Sequence, residues 1–390
     1  MKVVILSCGS VAGRVADRAA AFPEIDELVV ADIDETAARD LAARTGARAE
    51  VFDATDPGSL AKVLEGADVV FNGVGPFYRF ALPIIDAAVD AGAHYIDICD
   101  EFDVAEALVT QSRYDDRARA AGVTVLTGCG SAPGTTNLMA RMACDRLDRA
   151  DAVHVVLGLP FVANLGPTIL EHMFHSLSGE VTQFLDGEYR KVPAWADRRT
   201  FPLLPPLGNR EFGYFGHAEP LTLPKFVPGL KEATSRFTWW QEEGNAIYRN
   251  LGALGLLSSE RGDGMPMSPQ AYTARHFCSA EGEAAVQIDV SGDPLIAVFH
   301  VRAEGEIDGA PAVVTVESHT DMAELDLADG ADTTAIPAAA FLHRLIKGEV
   351  DRTGVLAPEA CFDPEPFLRE VLPQLGNTLT MRVEQTDPMV

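Results

Sequence analysis

The sequence predicts an α/β protein: a doubly wound parallel sheet over its first third, then an α+β region whose sheet is mainly antiparallel. Two patterns carry this. Over the first 127 residues, short runs rich in Val and Ile, apolar at successive positions, alternate with segments of helical spacing, as strands covered on both faces by crossover helices do. From Asp151 onward apolar positions alternate with polar ones instead, the mark of antiparallel strands with one wet face. A length of 390 residues accommodates two domains with full cores.

In the first region the strands are Lys2 to Leu6, Leu28 to Ala31, Val69 to Phe71, Tyr95 to Ile98 and Val123 to Leu126. Helical spacing runs over Val11 to Ala21, Glu35 to Arg44, Ser59 to Leu64, Leu82 to Ala91 and Val104 to Ala121, which completes the βαβ pattern. The character changes near Gly128. Val286, Ile288 and Val290 alternate with Gln287 and Asp289, and Val314 with Val316 across Thr315, predicting antiparallel strands there. Residues 193 to 228 are dense in Pro and Gly and read as loops lining a site, with little regular structure. Thr333 to Lys347 and Pro364 to Leu372 read as helices, the second opened by Pro at its first position.

Composition excludes several classes. Hydrophobic residues at 47% and charged residues at 23% are those of a globular protein. The 58 acidic against 31 basic residues give a formal charge of -27, a field that repels nucleic acid and anionic lipid, so neither DNA, RNA nor a membrane is expected as partner. The six cysteines lie apart, without CxxC spacing, so neither a disulfide framework nor a metal site is expected and a reducing cytosol fits best. The four apolar residues Val3 to Leu6 are too few for a signal peptide, and no apolar run approaches the ~18 residues of a membrane helix.

The first strand ends in Ser7-Cys8-Gly9-Ser10-Val11-Ala12-Gly13, an SxGxxA variant of the dinucleotide-binding GxGxxG loop. Gly9 keeps the middle position, where a missing side chain lets the backbone approach a pyrophosphate, and Ser10, Val11 and Ala12 open the helix whose N-H groups face that anion. Asp32 lies 23 residues beyond Gly9 at the end of the second strand, placed to accept ribose hydroxyls, and Asp34 reads as a helix cap. Carboxylates without an Arg at this position favour NAD over NADP. Asp53 is a candidate for the adenine amino group, although capping by Thr55 or Asp56 explains most of its segment. The run Asn72-Gly73-Val74-Gly75-Pro76 forces a tight turn at the carboxyl edge of the sheet, where open α/β folds bind ligands.

With Asn72 to Phe80, Ala91 to Asp100 and Gly128 to Asn137 in hand, and Gly354 to Glu359 near the end, the sequence resembles the saccharopine dehydrogenase family. The resemblance is strong to about Asn137 and faint through the middle third. It implies an NAD(P)-dependent oxidoreductase, acting at an amine or imine of an amino acid or amino-acid conjugate. It implies a Rossmann-type domain over 1 to 130, an inserted substrate and dimerisation domain over 131 to 348 with an open sheet, and helices over 349 to 390 that return to the first domain. A homodimer is also implied.

Chemistry beside the nicotinamide needs a proton donor or acceptor at nitrogen. Tyr78 and Arg79 follow the Gly75-Pro76 turn as a phenol and a carboxylate clamp, or as a loop anchor beside a solvated Arg. Asp97, on an apolar strand, must be paired or functional, and Asp100 follows it as a second candidate or as a cap. Cys99 and Cys129 end successive strands, placed to contact nicotinamide and substrate respectively, or to pack. Later in the chain His217 beside Glu219 is a candidate acid or base, and Arg198-Arg199 a candidate anion clamp. His172 and His175, three apart, read as a helix face rather than a metal site.

Two rivals stand. A short-chain reductase needs a Tyr with a Lys four residues on, and none of the seven tyrosines has one. A dinucleotide-sensing or scaffold protein of the same fold, without turnover, is the alternative that Ser7 and Ala12 keep open.

Overall fold

The computed structural model describes residues 1–162, 166–322 and 330–385. The chain forms two compact units, Met1–Leu138 with Asp326–Leu375, and Met139–Leu325 with Gly376–Val390.

The first unit opens with β1 (Lys2–Leu6), α1 (Ser10–Ala19), β2 (Glu27–Asp32), α2 (Glu35–Thr45), β3 (Arg48–Val51), α3 (Pro57–Val63), β4 (Val69–Asn72), α4 (Phe77–Asp90), β5 (His94–Asp97), α5 (Phe102–Thr110), α6 (Ser112–Ala121) and β6 (Thr124–Leu126). The segment Val104 to Ala121, expected as one helix, is two, because Gln111 takes an extended conformation between them. Helix α4 begins five residues earlier than its spacing suggests, so Tyr78 and Arg79 sit in its first turn rather than in the preceding loop.

Helix α7 (Thr135–Cys144) leads to β7 (Arg149–Leu159), α8 (Pro167–Ser176), β8 (Glu180–Leu185), β9 (Glu188–Pro193), β10 (Arg199–Pro202), β11 (Asn209–Tyr214), α9 (Glu219–Phe226), β12 (Glu232–Trp239), α10 (Glu242–Ala253), α11 (Pro269–Phe277), α12 (Ala280–Ala285), β13 (Ile296–Ile307) and β14 (Ala310–Asp321). The Pro-rich stretch expected as loops thus holds β10, β11 and α9. Conversely, Val286 to Val290 form no strand. They follow α12, which Ser279 caps, and keep their alternating exposure without any partner to pair with.

The chain then runs through α13 (Asp332–Ile346), β15 (Gly354–Leu356), α14 (Pro358–Cys361) and α15 (Pro364–Val371) to β16 (Thr378–Gln385). The resemblance implies helices over residues 378 to 385, but Leu379, Met381 and Val383 alternate with polar residues and β16 pairs along β14.

The first sheet is parallel throughout, in the order β15-β6-β5-β4-β1-β2-β3. Val3, Val4, Ile5 and Leu6 are all fully buried, which is why their strand is apolar at every position. The switch point lies beside β1, where β4 and β2 flank it, and ligands of open α/β sheets bind outside the carboxyl ends of strands at such a point. The second sheet has nine strands, with β10-β11-β12-β7-β13-β14-β16 in line and β8-β9 attached to β12. Only the β12 and β7 pairing is parallel. Two of its hairpins turn on Asp-Gly, at Asp186-Gly187 and Asp308-Gly309, with positive φ at all four residues as a two-residue turn matched to strand twist requires.

Candidate active site

At the end of β1, Ser7 takes φ 83° where the common loop has Gly, and its Oγ accepts the Gly9 N-H at 3.1 Å. Gly9 itself has an ordinary φ of -67°, and a Cβ built there meets only Ser7 Oγ, at 3.3 Å. Backbone conformation does not ask for glycine at this position, and a side chain would press only on the Ser7 hydroxyl that accepts the Gly9 N-H. What the missing side chain provides is room above the start of α1. That helix opens with no side-chain cap, whereas Asp34 caps α2 and Asp56 caps α3. The start of α1 therefore presents a helix N-terminus and its partial positive charge, the feature that attracts an anion.

Asp32 accepts the Cys8 N-H at 2.7 Å on one oxygen and the Asp34 N-H at 2.9 Å on the other, so it pins this loop to the end of β2. It also lines a cavity of about 280 Å³ together with Ser7, Asp53, Thr55 and Gly75. The structure thus brings Asp32, Asp53 and Gly75 to one hollow beside the glycine loop. Asp53 is held in place by the N-H and hydroxyl of Thr55, which also keep its carboxyl below the usual range. Across the loop, Cys8, Gly9, Ser10, Arg14 and Arg44 line a second hollow of about 330 Å³, in which Arg44 is paired with Asp17.

Gly73 marks where the β4 to α4 turn crosses α1. A Cβ on Gly73 would lie 2.7 Å from that of Ala12, so the methyl group of Ala12 in the third loop position is accommodated by the glycine opposite. Pro76 stands at the N-terminus of α4. Beneath the turn, Asn72 accepts the Val74 N-H and donates to the Tyr95 hydroxyl at 2.9 Å, and Tyr95 donates to Asp97 at 2.8 Å. The other Asp97 oxygen accepts Cys99 N-H, Thr127 Oγ1 and Gly128 N-H. Burial pushes the Asp97 carboxyl up, and these donors oppose that. Tyr95 carried no signal beyond its place on an apolar strand.

Cys99 and Cys129 are closed off from solvent, and burial raises both thiols well above the ordinary range, so they are protonated packing groups at neutral pH. The Tyr78 N-H bonds to the carboxylate of buried Glu101, which anchors α4 to the start of α5. Arg79 is exposed and lines a groove between α3 and α4, against Phe80. Asp100 is partly buried, just before Glu101.

In the second unit His217 and Glu219 are both buried, and Nδ1 of the imidazole bonds the carboxylate. In the neutral ring this bond puts the proton on Nδ1 and leaves Nε2 as the acceptor. Phe215 packs against the ring in a tilted arrangement, with the centroids 4.8 Å apart. Arg198 and Arg199 are not a free clamp: Arg198 pairs with Glu211, and Arg199 with Asp197 and Glu232. His172 and His175 lie on α8. A cluster absent from the sequence reading lies under β10 and β11, where fully buried Arg236 pairs with Asp197 and stacks on Tyr214. Its residues are far apart in sequence, and only strand pairing assembles them.

Residues 3–126 match the family model of the saccharopine dehydrogenase NADP binding domain. The chain is 26% identical to carboxyaminopropylagmatine dehydrogenase of Synechocystis over 396 residues, covering 95% of each chain. It is 25% identical to carboxynorspermidine synthase of Vibrio cholerae over 354 residues, 84% of this chain and 81% of the relative. Its fold matches that of saccharopine dehydrogenase (L-Glu forming) from Saccharomyces cerevisiae with a TM-score of 0.66 at 18% identity, over 98% of this chain and 99% of that one. Among the described residues no helix is long and apolar enough to cross a membrane.

Proposed function

We propose that this chain, which belongs to the saccharopine dehydrogenase family, is an NAD(P)-dependent oxidoreductase acting at a carbon-nitrogen bond, between an amine and an imine of an amino acid or an amino-acid conjugate. The observation that carries the reading is the uncapped α1 behind Gly9, with Asp32 beside it. Gly9, Ser10, Val11 and Ala12 fit the pyrophosphate, Asp32 the ribose and Asp53 the adenine rim, with NAD preferred because the Asp32 carboxylate repels a 2′-phosphate. Arg44 and Arg14 lie across the loop as the groups an NADP-binding variant would recruit. A bound nicotinamide supplies or accepts the hydride. Of the chain's own groups, His217, whose Nδ1 Glu219 holds, is the candidate base of the second unit, and Tyr78 and Asp100 are the candidates of the first.

The names of the two relatives support a carboxylated polyamine or amino-acid conjugate as substrate. So does the charge of -27, which attracts a polycation. With Arg198 and Arg199 committed to acidic partners, an arginine clamp for an acidic substrate is not favoured. The reading includes a cytosolic homodimer. Both departures in the loop are compensated, Ser7 by its bond to Gly9 and Ala12 by Gly73, which supports dinucleotide binding, and turnover separates the enzyme from a silent sensor. The test is a screen of amino acids, polyamines and their carboxyalkyl conjugates for reduction of NAD or NADP by absorbance, followed through the reverse reaction with amine and aldehyde pairs. Activity on alcohols alone would overturn the carbon-nitrogen assignment.

A further inference from the structure

We infer that Tyr95 is a positioning residue for the dinucleotide, joining the turn that lines the Asp32 cavity to the turns that follow β5 and β6. The chain of bonds crosses three neighbouring strands at their carboxyl ends. It runs from Val74 N-H to Asn72, from Asn72 to Tyr95, from Tyr95 to Asp97, and from Asp97 to Cys99, Thr127 and Gly128. Asn72, Tyr95 and Asp97 are all fully buried.

Every bond has one permitted direction. The Asn72 amide nitrogen only donates and the backbone N-H groups only donate, so the Tyr95 hydroxyl donates its single proton to Asp97, and Asp97 accepts throughout as a carboxylate. The Tyr95 phenol is the only link in that chain between the Asn72 side and the Asp97 side. Val74 and Gly75 line the cavity with Asp32, so the wall of the dinucleotide hollow takes its position from Asp97 through this phenol.

The cost of the arrangement argues for its use. An apolar strand that buries a carboxylate and raises its pKa loses stability at neutral pH relative to an apolar residue there, and such costs concentrate at functional sites. Backbone bonds already tie these ends, Gly73 N-H to Leu6 and Cys129 N-H to Asp97, so the side-chain relay is a second connection, and it is the one that reaches the cavity wall at Val74.

This inference rests on the dinucleotide reading above. The experiment is NADH fluorescence titration of the full chain and of Tyr95→Phe across a pH series, with thermal melting alongside. Tyr95→Phe is expected to weaken NADH binding at least about fivefold at neutral pH, the worth of one buried hydrogen bond. It also removes a donor from Asp97, so binding is lost at a higher pH than in the parent chain, a shift that loss of packing alone would not produce. If Tyr95→Phe does not fold, Thr127→Val removes another donor from the same carboxylate and is expected to move the pH profile in the same direction by a smaller amount. Unchanged NADH affinity and pH profile in the folded variant overturns the positioning role. Failure of the parent chain to bind any dinucleotide overturns the reading beneath it, and the two results are distinct.

Discussion

Gly73 faces Ala12 so closely that a methyl group on the glycine would stand 2.7 Å from the methyl group of the alanine. The third position of the dinucleotide loop and the turn after β4 thus share one small volume, filled from the α1 side. Gly73→Ala is expected to destabilise the protein by about 1–3 kcal/mol through overpacking, and Ala12→Gly in the same chain to restore most of the loss. Chemical denaturation of the two single variants and the double variant measures the coupling.

Asp32 holds the loop and presents a negative charge to the cavity. Asp32→Ser is expected to change cofactor preference toward NADP by at least about tenfold in kcat/KM, the scale of one unfavourable charge contact of roughly 1.4 kcal/mol. Because two backbone N-H groups lose their acceptor, stability should also fall by about 1–2 kcal/mol. Steady-state kinetics with NAD and NADP and a thermal melt separate the two effects.

His154 is buried on the polar face of the second sheet, where burial, then the charges of Arg236, Arg199 and Arg302, lower its pKa to about 3. The folded state keeps it neutral while the unfolded chain takes up a proton below about 6.5, so stability falls as pH drops through that window, by at most about 1.4 kcal/mol per unit. Glu317 acts lower. Burial pushes its carboxyl up, but hydrogen bonds from His300 and His319 prevail and hold it at about 2, so its stabilisation is lost only as pH falls from about 4.5 toward 2. Urea melts at pH about 5 and about 7 isolate the first group: His154→Gln should flatten the difference.

His217→Asn is expected to lower kcat by about 10²- to 10⁴-fold with a smaller change in KM, the contribution of a general acid or base. Glu219→Gln, which keeps the shape but loses the charge that orients the imidazole, should cost less and change the pH profile of kcat. Equal activity of the His217→Asn variant removes this histidine from the chemistry.

Much of the first unit was legible because parallel strands buried on both faces write continuous apolar runs, and Lys2 to Leu6 match β1 residue for residue. The second unit was harder to read, since pairing partners decide what becomes a strand. Val286 to Val290 have the alternation but no neighbour, while β16 has the same alternation and a neighbour in β14. The Asp-Gly pairs at 186 and 308 were the available hairpin signals. In the candidate site, Gly9 and Asp32 were readable from spacing. The Tyr95 bridge and the Gly73 contact were not, because both depend on the lateral order β6-β5-β4-β1, which local pattern does not encode.

The central claim is that the loop from Ser7 to Ala12 holds a nicotinamide dinucleotide, and Gly9 tests it most directly because a Cβ there meets a single side-chain atom, Ser7 Oγ. Calorimetric titration of NAD, NADH, NADP and NADPH should show saturable binding of at least one of them to the parent chain, tighter for the NAD pair. Gly9→Val should abolish that binding while a thermal melt still shows a cooperative folded state, since a Cβ there meets only the Ser7 hydroxyl, at 3.3 Å. No binding by the parent chain, or equal binding by Gly9→Val, would contradict the account.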